Sequence, residues 1–109
     1  MHGDMDRLIQ YIQKHFAFTE KEYPELKGAS ENQRLKFAVR HSGLHFAKTT
    51  GKIVSVSEDS DHGDPLDLEE LRKNIPKAFI NLYRLTELVG LKEADVIKAI
   101  EEKYKEKIN

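Results

Sequence analysis

The sequence predicts an all-α protein, a four-helix up-and-down bundle in a single domain covering residues 1–109. Two observations lead to this prediction. Apolar residues recur at alternating three- and four-residue steps, which is the period of a helix. Pairs with capping-box spacing, Ser30 with Gln33 and Asp67 with Glu70, mark where two long helices begin. The connections between the periodic segments are short, and short connections favour antiparallel neighbours.

Length, charge and composition exclude several classes of protein. The chain has 109 residues, of which 34% are charged, with a formal net charge of −1. This balance gives no electrostatic attraction towards nucleic acid or an anionic membrane, so we expect neither as a partner. The sequence has no cysteine, which excludes disulfides, thiolate zinc sites and cysteine nucleophiles. No segment reads as a secretion signal or a membrane span, and we expect a cytoplasmic protein.

The first predicted helix covers residues 4–17, with Asp4 as its capping residue. Its apolar residues fall at i, i+3, i+4, i+7 and i+11, on one face of a helix. They are Met5, Leu8, Ile9, Ile12 and Phe16. Pro24 and Gly28 interrupt the segment that follows, so residues 18–29 are predicted to be a connection.

The second predicted helix begins after Ser30 and covers residues 31–56. Its stripe steps by four and three in strict alternation through Leu35, Val39, Ser42, Phe46, Thr49, Ile53 and Val56. The small and polar residues of Ser57–Asp67, including Gly63 and Pro65, predict a loop after it.

The third predicted helix covers residues 68–89 and the fourth covers residues 92–107. Pro76 lies inside the third helix and is expected to kink or restart it, and Gly90 is expected to end it. Two stripes of apolar residues are expected to be buried against partner helices. They are Leu68, Leu71, Ile75, Ala78, Phe79, Leu82, Leu85, Leu88 and Val89 in the third helix, and Val96, Ile97, Ile100 and Tyr104 in the fourth. These stripes exceed what one small bundle covers, so we expect a homo-oligomer.

Two histidines and an acidic loop are candidate metal ligands. His41 and His45 are spaced i, i+4, so that both rings project from one helix face and can chelate one ion. The loop adds Glu58, Asp61 and His62, and such oxygen donors suit Mg²⁺ or Mn²⁺. The alternative interpretation is that the histidines pack at a helix interface and that the loop is solvated and caps the next helix.

Three basic side chains are candidate phosphate ligands: Lys48 on the second helix, and Arg72 and Lys77 near the start of the third. The alternative is that they are ordinary solvated charges on a bundle surface. Templates for other chemistries are absent, including the phosphate-binding P-loop, the dinucleotide-binding glycine motif, the serine-hydrolase elbow and the zinc motif HExxH.

The stretch EELRKNIPKAFINLYRLTELVGLKEADVIKAIEEKYKEK resembles the C-terminal half of the MazG-like all-α nucleotide pyrophosphohydrolases. The segment LYRLTELVGL, with Arg84 and the stop at Gly90, matches the family's third helix, and the resemblance covers roughly residues 30–107. It implies a four-helix bundle that hydrolyses a nucleoside triphosphate to a monophosphate and pyrophosphate. It also implies Mg²⁺ held by carboxylates of the second and third helices, which neutralise phosphate charge while water attacks.

The residues at the family's metal positions differ in this chain. The third-helix motif falls at Asn74 and Lys77, and neither is an acid. The second-helix motif falls within Arg40–Lys48 (RHSGLHFAK), which contains no carboxylate, and His41 and His45 lie about where the acids would be. A lysine at a Mg²⁺ ligand position would repel the ion.

Two functions from different classes follow. In the first, the chain is a divergent MazG-like protein that keeps the scaffold to bind a nucleotide or a protein partner. In the second, it is an active pyrophosphohydrolase whose metal site is rebuilt from the histidines and the acidic loop. The missing third-helix acids favour the first, and the sequence assigns no catalytic residue. A fainter resemblance links RHSGLHFAKTTGKI to HD-type phosphohydrolases, although Asp61 and His62 stand in the opposite order to that family's pair.

Overall fold

A computed structural model describes residues 3–108, which contain five α-helices and no strand. The helices are α1 (Asp4–His15), α2 (Glu31–Asp61), α3 (Leu68–Leu88), α4 (Glu93–Lys103) and α5 (Lys105–Ile108). A short 3-10 turn, Pro24–Leu26, lies in the connection between α1 and α2. The all-α prediction is confirmed for this range. None of its helices combines the length and apolar character that crossing a membrane requires.

The first helix ends at His15 and not at the predicted residue 17, and two later helices also differ from their predicted boundaries. The second helix was expected to end near residue 56, but α2 continues to Asp61. The sequence from Ser57 to Asp61 is polar yet lacks glycine and proline, so nothing in it breaks the helix. The chain turns only at Gly63, whose φ of 102° lies in the left-handed region. The last predicted helix is divided at Tyr104 into α4 and the short α5.

The N-termini of α2 and α3 follow the capping patterns in the sequence. The Ser30 Oγ accepts a hydrogen bond from the Gln33 backbone N–H, and the Gln33 side chain accepts one from the Ser30 N–H. Asp67 Oδ1 accepts from the Glu70 N–H at 3.1 Å. These bonds satisfy backbone donors that have no partner inside the helix. The capping predictions for both helices are therefore confirmed, whereas Gly3, and not Asp4, precedes α1.

Gly90 ends α3 as the sequence predicts. Its φ is 73°, its N–H bonds to the Glu87 carbonyl, and the Leu91 N–H bonds to the Thr86 carbonyl. This pair of bonds is the Schellman arrangement, which favours glycine because a Cβ is strained at that φ. Pro76 lies within α3, and the helix continues through it without restarting.

The interface between α2 and α3 is unusually polar. The two helices pack against each other along the hairpin, and most of their buried residues carry polar or charged side chains. The buried residues are Ala38, Ser42, Thr49 and Val56 on α2, and Asn74, Asn81 and Arg84 on α3. Ser42, Thr49 and Val56 are seven residues apart, as are Asn74 and Asn81, which is the spacing of shallow helix crossings.

The first helix packs against α3. Ile12 is its buried residue, and Gln13 adds a polar contact, because its Nε2 donates to Glu87 Oε2 at 2.8 Å. The connection that follows is held against α2 by Arg34, which donates to the backbone carbonyls of Leu26 and Ala29 and pairs with Glu20.

The C-terminal helices make few contacts with the rest of the chain. All residues of α4 are exposed, including Val96, Ile97 and Ile100, and so is Tyr104 after it. The predicted burial of these four residues is therefore wrong within this single chain. Residues 89–92 connect α3 to α4, and an apolar groove remains between α4, α1 and α3. The radius of gyration is 17.1 Å, whereas a compact domain of this length has one of about 13 Å.

Candidate functional site

The structure separates the five residues predicted as metal ligands. His41 and His45 lie together on α2, with 4.4 Å between their ring centroids. Glu58, Asp61 and His62 lie at the other end of the helix. At 1.5 Å per residue, the 13 residues from His45 to Glu58 span about 20 Å. Because α2 continues as one helix to Asp61, these residues form no single centre.

The acidic residues beside the α2–α3 turn form a shallow cleft of about 420 Å³. Two of its carboxylates have partners in the chain: Asp67 caps α3, and Glu70 Oε1 accepts from Asn74 Nδ2 at 3.2 Å. The cleft also contains Lys52, whose charge opposes a cation. Within residues 3–108, no group of three histidine or carboxylate side chains is arranged to hold a metal ion.

The positions that the MazG-like resemblance assigns to metal ligands do not suit Mg²⁺ in this structure. Asn74 is buried, and its Nδ2 is bound to Glu70, while Lys77 is exposed and cationic. Mg²⁺ prefers carboxylate oxygens in an octahedral arrangement. The donor set present therefore does not fit the ion that the resemblance implies.

The three predicted phosphate ligands are all exposed. Arg72 pairs with Glu69 on the same helix, with 3.4 Å between Nη1 and Oε1. Lys48 and Lys77 make no ion pair among residues 3–108. Exposed charges of this kind bind phosphate only weakly, because water screens them.

A cluster of aromatic and cationic side chains lies instead at the other end of the hairpin. Its members come from three parts of the chain, the connection after α1, α2 and α3. They are Phe18, Tyr23, Phe37, His41 and Arg84. The rings of Phe18 and Tyr23 are 5.2 Å apart, and those of Phe37 and His41 are stacked at 5.7 Å. Tyr23 precedes the Pro24–Leu26 turn, whose buried Leu26 fixes this connection against the hairpin.

Arg84 is the charged centre of this cluster. The residue is only 8% exposed, and its guanidinium carbon lies 3.9 Å from the centroid of the Phe18 ring. Its Nη2 donates to Tyr23 Oη at 3.3 Å, and no other hydrogen bond or ion pair of this side chain occurs among residues 3–108. A buried guanidinium normally pairs with an anion, because leaving water costs it solvation energy.

His41 lies next to this charge. Tyr23 Oη is 3.3 Å from His41 Nε2, so the tyrosine hydroxyl lies between the imidazole and the guanidinium. Burial lowers the pKa of His41 below its usual 6.5, and the nearby His45 and Arg84 lower it further, while Glu25 opposes the shift. The imidazole is therefore expected to be neutral at pH 7.

Three buried polar atoms near the α2–α3 interface lack partners among the described residues. They are Ser42 Oγ, Asn74 Oδ1 and Arg84 Nε. Buried polar groups in stable proteins are nearly always hydrogen-bonded, and an exception calls for an explanation such as strain, a bound water or ion, or a functional role. A hairpin selected only for stability would carry apolar side chains at these positions.

Sequence reasoning missed Tyr23 and Phe18, and it gave Arg84 no role beyond the family resemblance. A signal for Arg84 was present, because Asn74, Asn81 and Arg84 follow helical spacing along one side of the apolar stripe. Nothing local marks Tyr23 or Phe18, since their proximity to Arg84 depends on how residues 16–29 cross the hairpin.

Comparison with known protein families, with curated proteins and with solved structures gave no match to this chain. The resemblance to the MazG-like proteins therefore rests on the residues quoted above and stays a prediction.

Proposed function

We propose that this chain is a divergent MazG-like binding protein that acts as a homo-oligomer and holds a nucleotide without the family's acid-based hydrolysis. The observation that carries the proposal is the polar interior of the hairpin. Ser42, Asn74 and Arg84 are buried between α2 and α3 with atoms that lack partners. Arg84 also lines a cavity beside α1, where a bound ligand would supply a partner and repay the cost of burying the guanidinium.

The arrangement of acids favours binding over hydrolysis. Two of the four carboxylates that line the cleft near the turn already have partners, since Asp67 caps α3 and Glu70 accepts from Asn74. Of the two histidines that lie where the resemblance expects acids, His41 packs against Phe37 and Tyr23, and His45 is exposed beside it. Neither set resembles the carboxylate cluster that metal-assisted phosphate hydrolysis requires.

The exposed area supports self-association. The chain exposes 8847 Å², whereas a compact monomer of its mass exposes about 6,200 Å². The excess of roughly 2,600 Å² is at the upper end of what one subunit of an obligate dimer buries. An area of this size suits an interface with a second copy of this chain.

Part of this excess exposed area is apolar and lies where α1, α3 and α4 meet. These helices line an open groove of about 700 Å³. Phe79 and Leu82 of α3 and Ile97 of α4 are each about half exposed in it. Soluble monomers rarely leave a continuous apolar surface of this kind uncovered.

Calorimetric titration tests the binding function. A non-hydrolysable nucleoside triphosphate analogue would be titrated into the protein in the presence of EDTA, Mg²⁺ or Mn²⁺. We expect similar affinity in all three conditions, and no turnover of natural nucleoside triphosphates. Binding that requires Mg²⁺ or Mn²⁺, together with pyrophosphate release, would instead establish the hydrolase. No heat at about 1 mM ligand, where binding is worth only about 4 kcal/mol, would exclude the nucleotide.

Sedimentation equilibrium tests the assembly. The chain mass is 12.6 kDa, and at micromolar concentration we expect a multiple of this mass. A single species at the monomer mass across the whole concentration range would contradict the oligomer.

A further inference from the structure

The cationic cluster at the end of the hairpin lacks a negative partner. Arg84 is more than nine-tenths buried and makes no ion pair among residues 3–108. A guanidinium has five N–H donors in a fixed planar arrangement, and here one hydrogen bond, from Nη2 to Tyr23 Oη, is made. Its buried Nε has no acceptor among these residues.

The neighbouring side chains are suited to an oxyanion. The Tyr23 hydroxyl lies within 3.3 Å of both Arg84 Nη2 and His41 Nε2. A hydroxyl both donates and accepts, so with the His41 tautomer that carries its proton on Nε2, Tyr23 can accept from both the imidazole and the arginine and donate its own proton to a ligand oxygen. Phe18 covers one face of the guanidinium at 3.9 Å and excludes water from that side.

A cavity lies beside the guanidinium. It has a volume of about 370 Å³ and lies between α1, α3 and the start of the connection after α1. Its walls include Arg84, Phe18 and Gln13, so a small molecule entering it would meet the arginine side chain and an aromatic ring.

One carboxylate also faces this cavity and must be accounted for. Glu87 lines it, three residues after Arg84, but its Oε2 accepts from Gln13 Nε2 at 2.8 Å and it makes no ion pair with the arginine. Glu25 is the acid that acts on His41, and it raises the pKa of that imidazole less than the surroundings lower it. Neither acid neutralises Arg84 directly.

We infer that Arg84, supported by Tyr23 and His41, binds an oxyanion of a small molecule, of the kind carried by a phosphate group. This inference rests on the proposed binding function and names the point where the ligand's negative charge is held. A phosphate suits the site because arginine forms paired hydrogen bonds with its oxygens. A carboxylate offers similar oxygens, and the experiment below distinguishes the two.

Thermal unfolding of the purified full chain tests the site, with pyrophosphate or malonate against sodium chloride at equal ionic strength. We expect pyrophosphate to raise the Tm of the wild type and to leave that of Arg84→Met unchanged. In chloride alone Arg84→Met is expected to be at least as stable as the wild type, because an unpaired buried charge has been removed. Arg7→Met is the matched control, since it removes an exposed arginine of α1 that is not a candidate phosphate ligand, and it should respond to pyrophosphate as the wild type does.

Two further variants keep the test decisive if Arg84→Met fails to fold. Tyr23→Phe keeps the ring and removes the hydroxyl, and it should weaken pyrophosphate binding about tenfold, the effect of one charge-assisted hydrogen bond. Glu87→Gln removes the opposing charge in the cavity and should strengthen binding. If Glu87 instead served as the partner of Arg84, Glu87→Gln would lower the Tm in chloride in the wild type but not in Arg84→Met, and the inference would be overturned. Loss of the hydrogen bond from Gln13 would lower the Tm in both backgrounds.

The remaining outcomes separate this inference from the proposed function. Equal stabilisation of the wild type and Arg84→Met by pyrophosphate would overturn the inference, as would stabilisation by malonate alone. A nucleotide analogue that binds Arg84→Met as tightly as the wild type would do the same while leaving the proposed function standing. Pyrophosphate binding at Arg84 without nucleotide binding would support the inference and refute the nucleotide.

Discussion

Asn74 donates two hydrogen bonds to Glu70, one turn earlier on α3, at 2.8 Å to the backbone carbonyl and 3.2 Å to Oε1. Asn74 is 1% exposed, so this amide holds a partly buried acid in place from inside the hairpin. An acid at this position would face that carboxylate and could not donate to it. The contact therefore suits the asparagine found here and not the carboxylate that the family resemblance implies.

We expect Asn74→Asp to destabilise the fold by about 3 kcal/mol, because it buries an unpaired charge beside Glu70. The loss should lessen as the pH falls and the new carboxyl is protonated. Urea unfolding at pH 7 and pH 5 measures both effects. The same substitution at the exposed Asn32, in the first turn of α2, should change stability little. A stable Asn74→Asp protein that gains Mg²⁺ affinity would show that the metal site is easily restored.

The environment of His41 predicts a pH dependence of stability. Burial and the neighbouring cations lower its pKa below 6.5 in the folded chain, so the unfolded chain binds the proton more readily. The contribution of the neutral His41 to stability is therefore fully present above about pH 6.5. This contribution is lost as the pH falls through the lowered pKa of the folded state. In His41→Gln this loss should be reduced, as measured by Tm between pH 5 and 8.

His62→Gln provides the control for that experiment. His62 is exposed at the end of α2, and its replacement should leave the pH dependence in place. An unchanged profile in His41→Gln would show that another group causes the acid sensitivity.

Replacement by alanine is expected to have opposite effects on stability at Gly90 and at Gly51. Gly90 has a φ of 73°, so Gly90→Ala should cost about 1 kcal/mol of stability. Gly51 lies inside α2, exposed and with no atom near an added Cβ. Gly51→Ala should therefore stabilise the protein by about 0.5–1 kcal/mol. Chemical denaturation of both variants tests the signs, and a stabilising Gly90→Ala would contradict the Schellman ending.

A charge in the groove should oppose self-association. Leu82 is half exposed in the groove between α1, α3 and α4, and Leu82→Glu would place a carboxylate in any interface formed there. We expect the sedimentation mass to fall towards 12.6 kDa. Gln10→Glu adds the same charge to an exposed position of α1 outside the groove, and it should leave the mass unchanged. Equal masses for both variants would place the interface elsewhere.

The sequence predicted those features that depend on neighbouring residues. Ser30, Asp67 and Gly90 set the ends of α2 and α3 through bonds within a few residues, so their roles can be read locally. The packing faces could not be read in this way. The stripe through Ile75, Phe79 and Leu82 was expected to be buried, yet the polar face of α3 packs against α2 and leaves those residues about half exposed. A single sequence shows that a face is apolar, but not whether its partner belongs to the same chain.

The sequence predicted that the two histidines lie together, but it did not predict their separation from the acidic residues or the position of Arg84. The pairing of His41 with His45 follows from helix spacing, and the two rings are close. The link from these histidines to Asp61 assumed a loop that could fold back, and the continuous helix α2 prevents it. Arg84 escaped notice because its importance comes from burial and from Tyr23, which lies 61 residues earlier in the chain.

The short turn between α2 and α3 has a consequence for how the protein folds. Only residues 62–67 separate the two helices, so their pairing closes a small loop and requires no other part of the chain. The hairpin is thus expected to form first, within microseconds to milliseconds. The groove of α1, α3 and α4 would be covered only when chains meet. Refolding should accordingly show an early phase whose rate is independent of protein concentration. A later phase should become faster as the protein concentration rises.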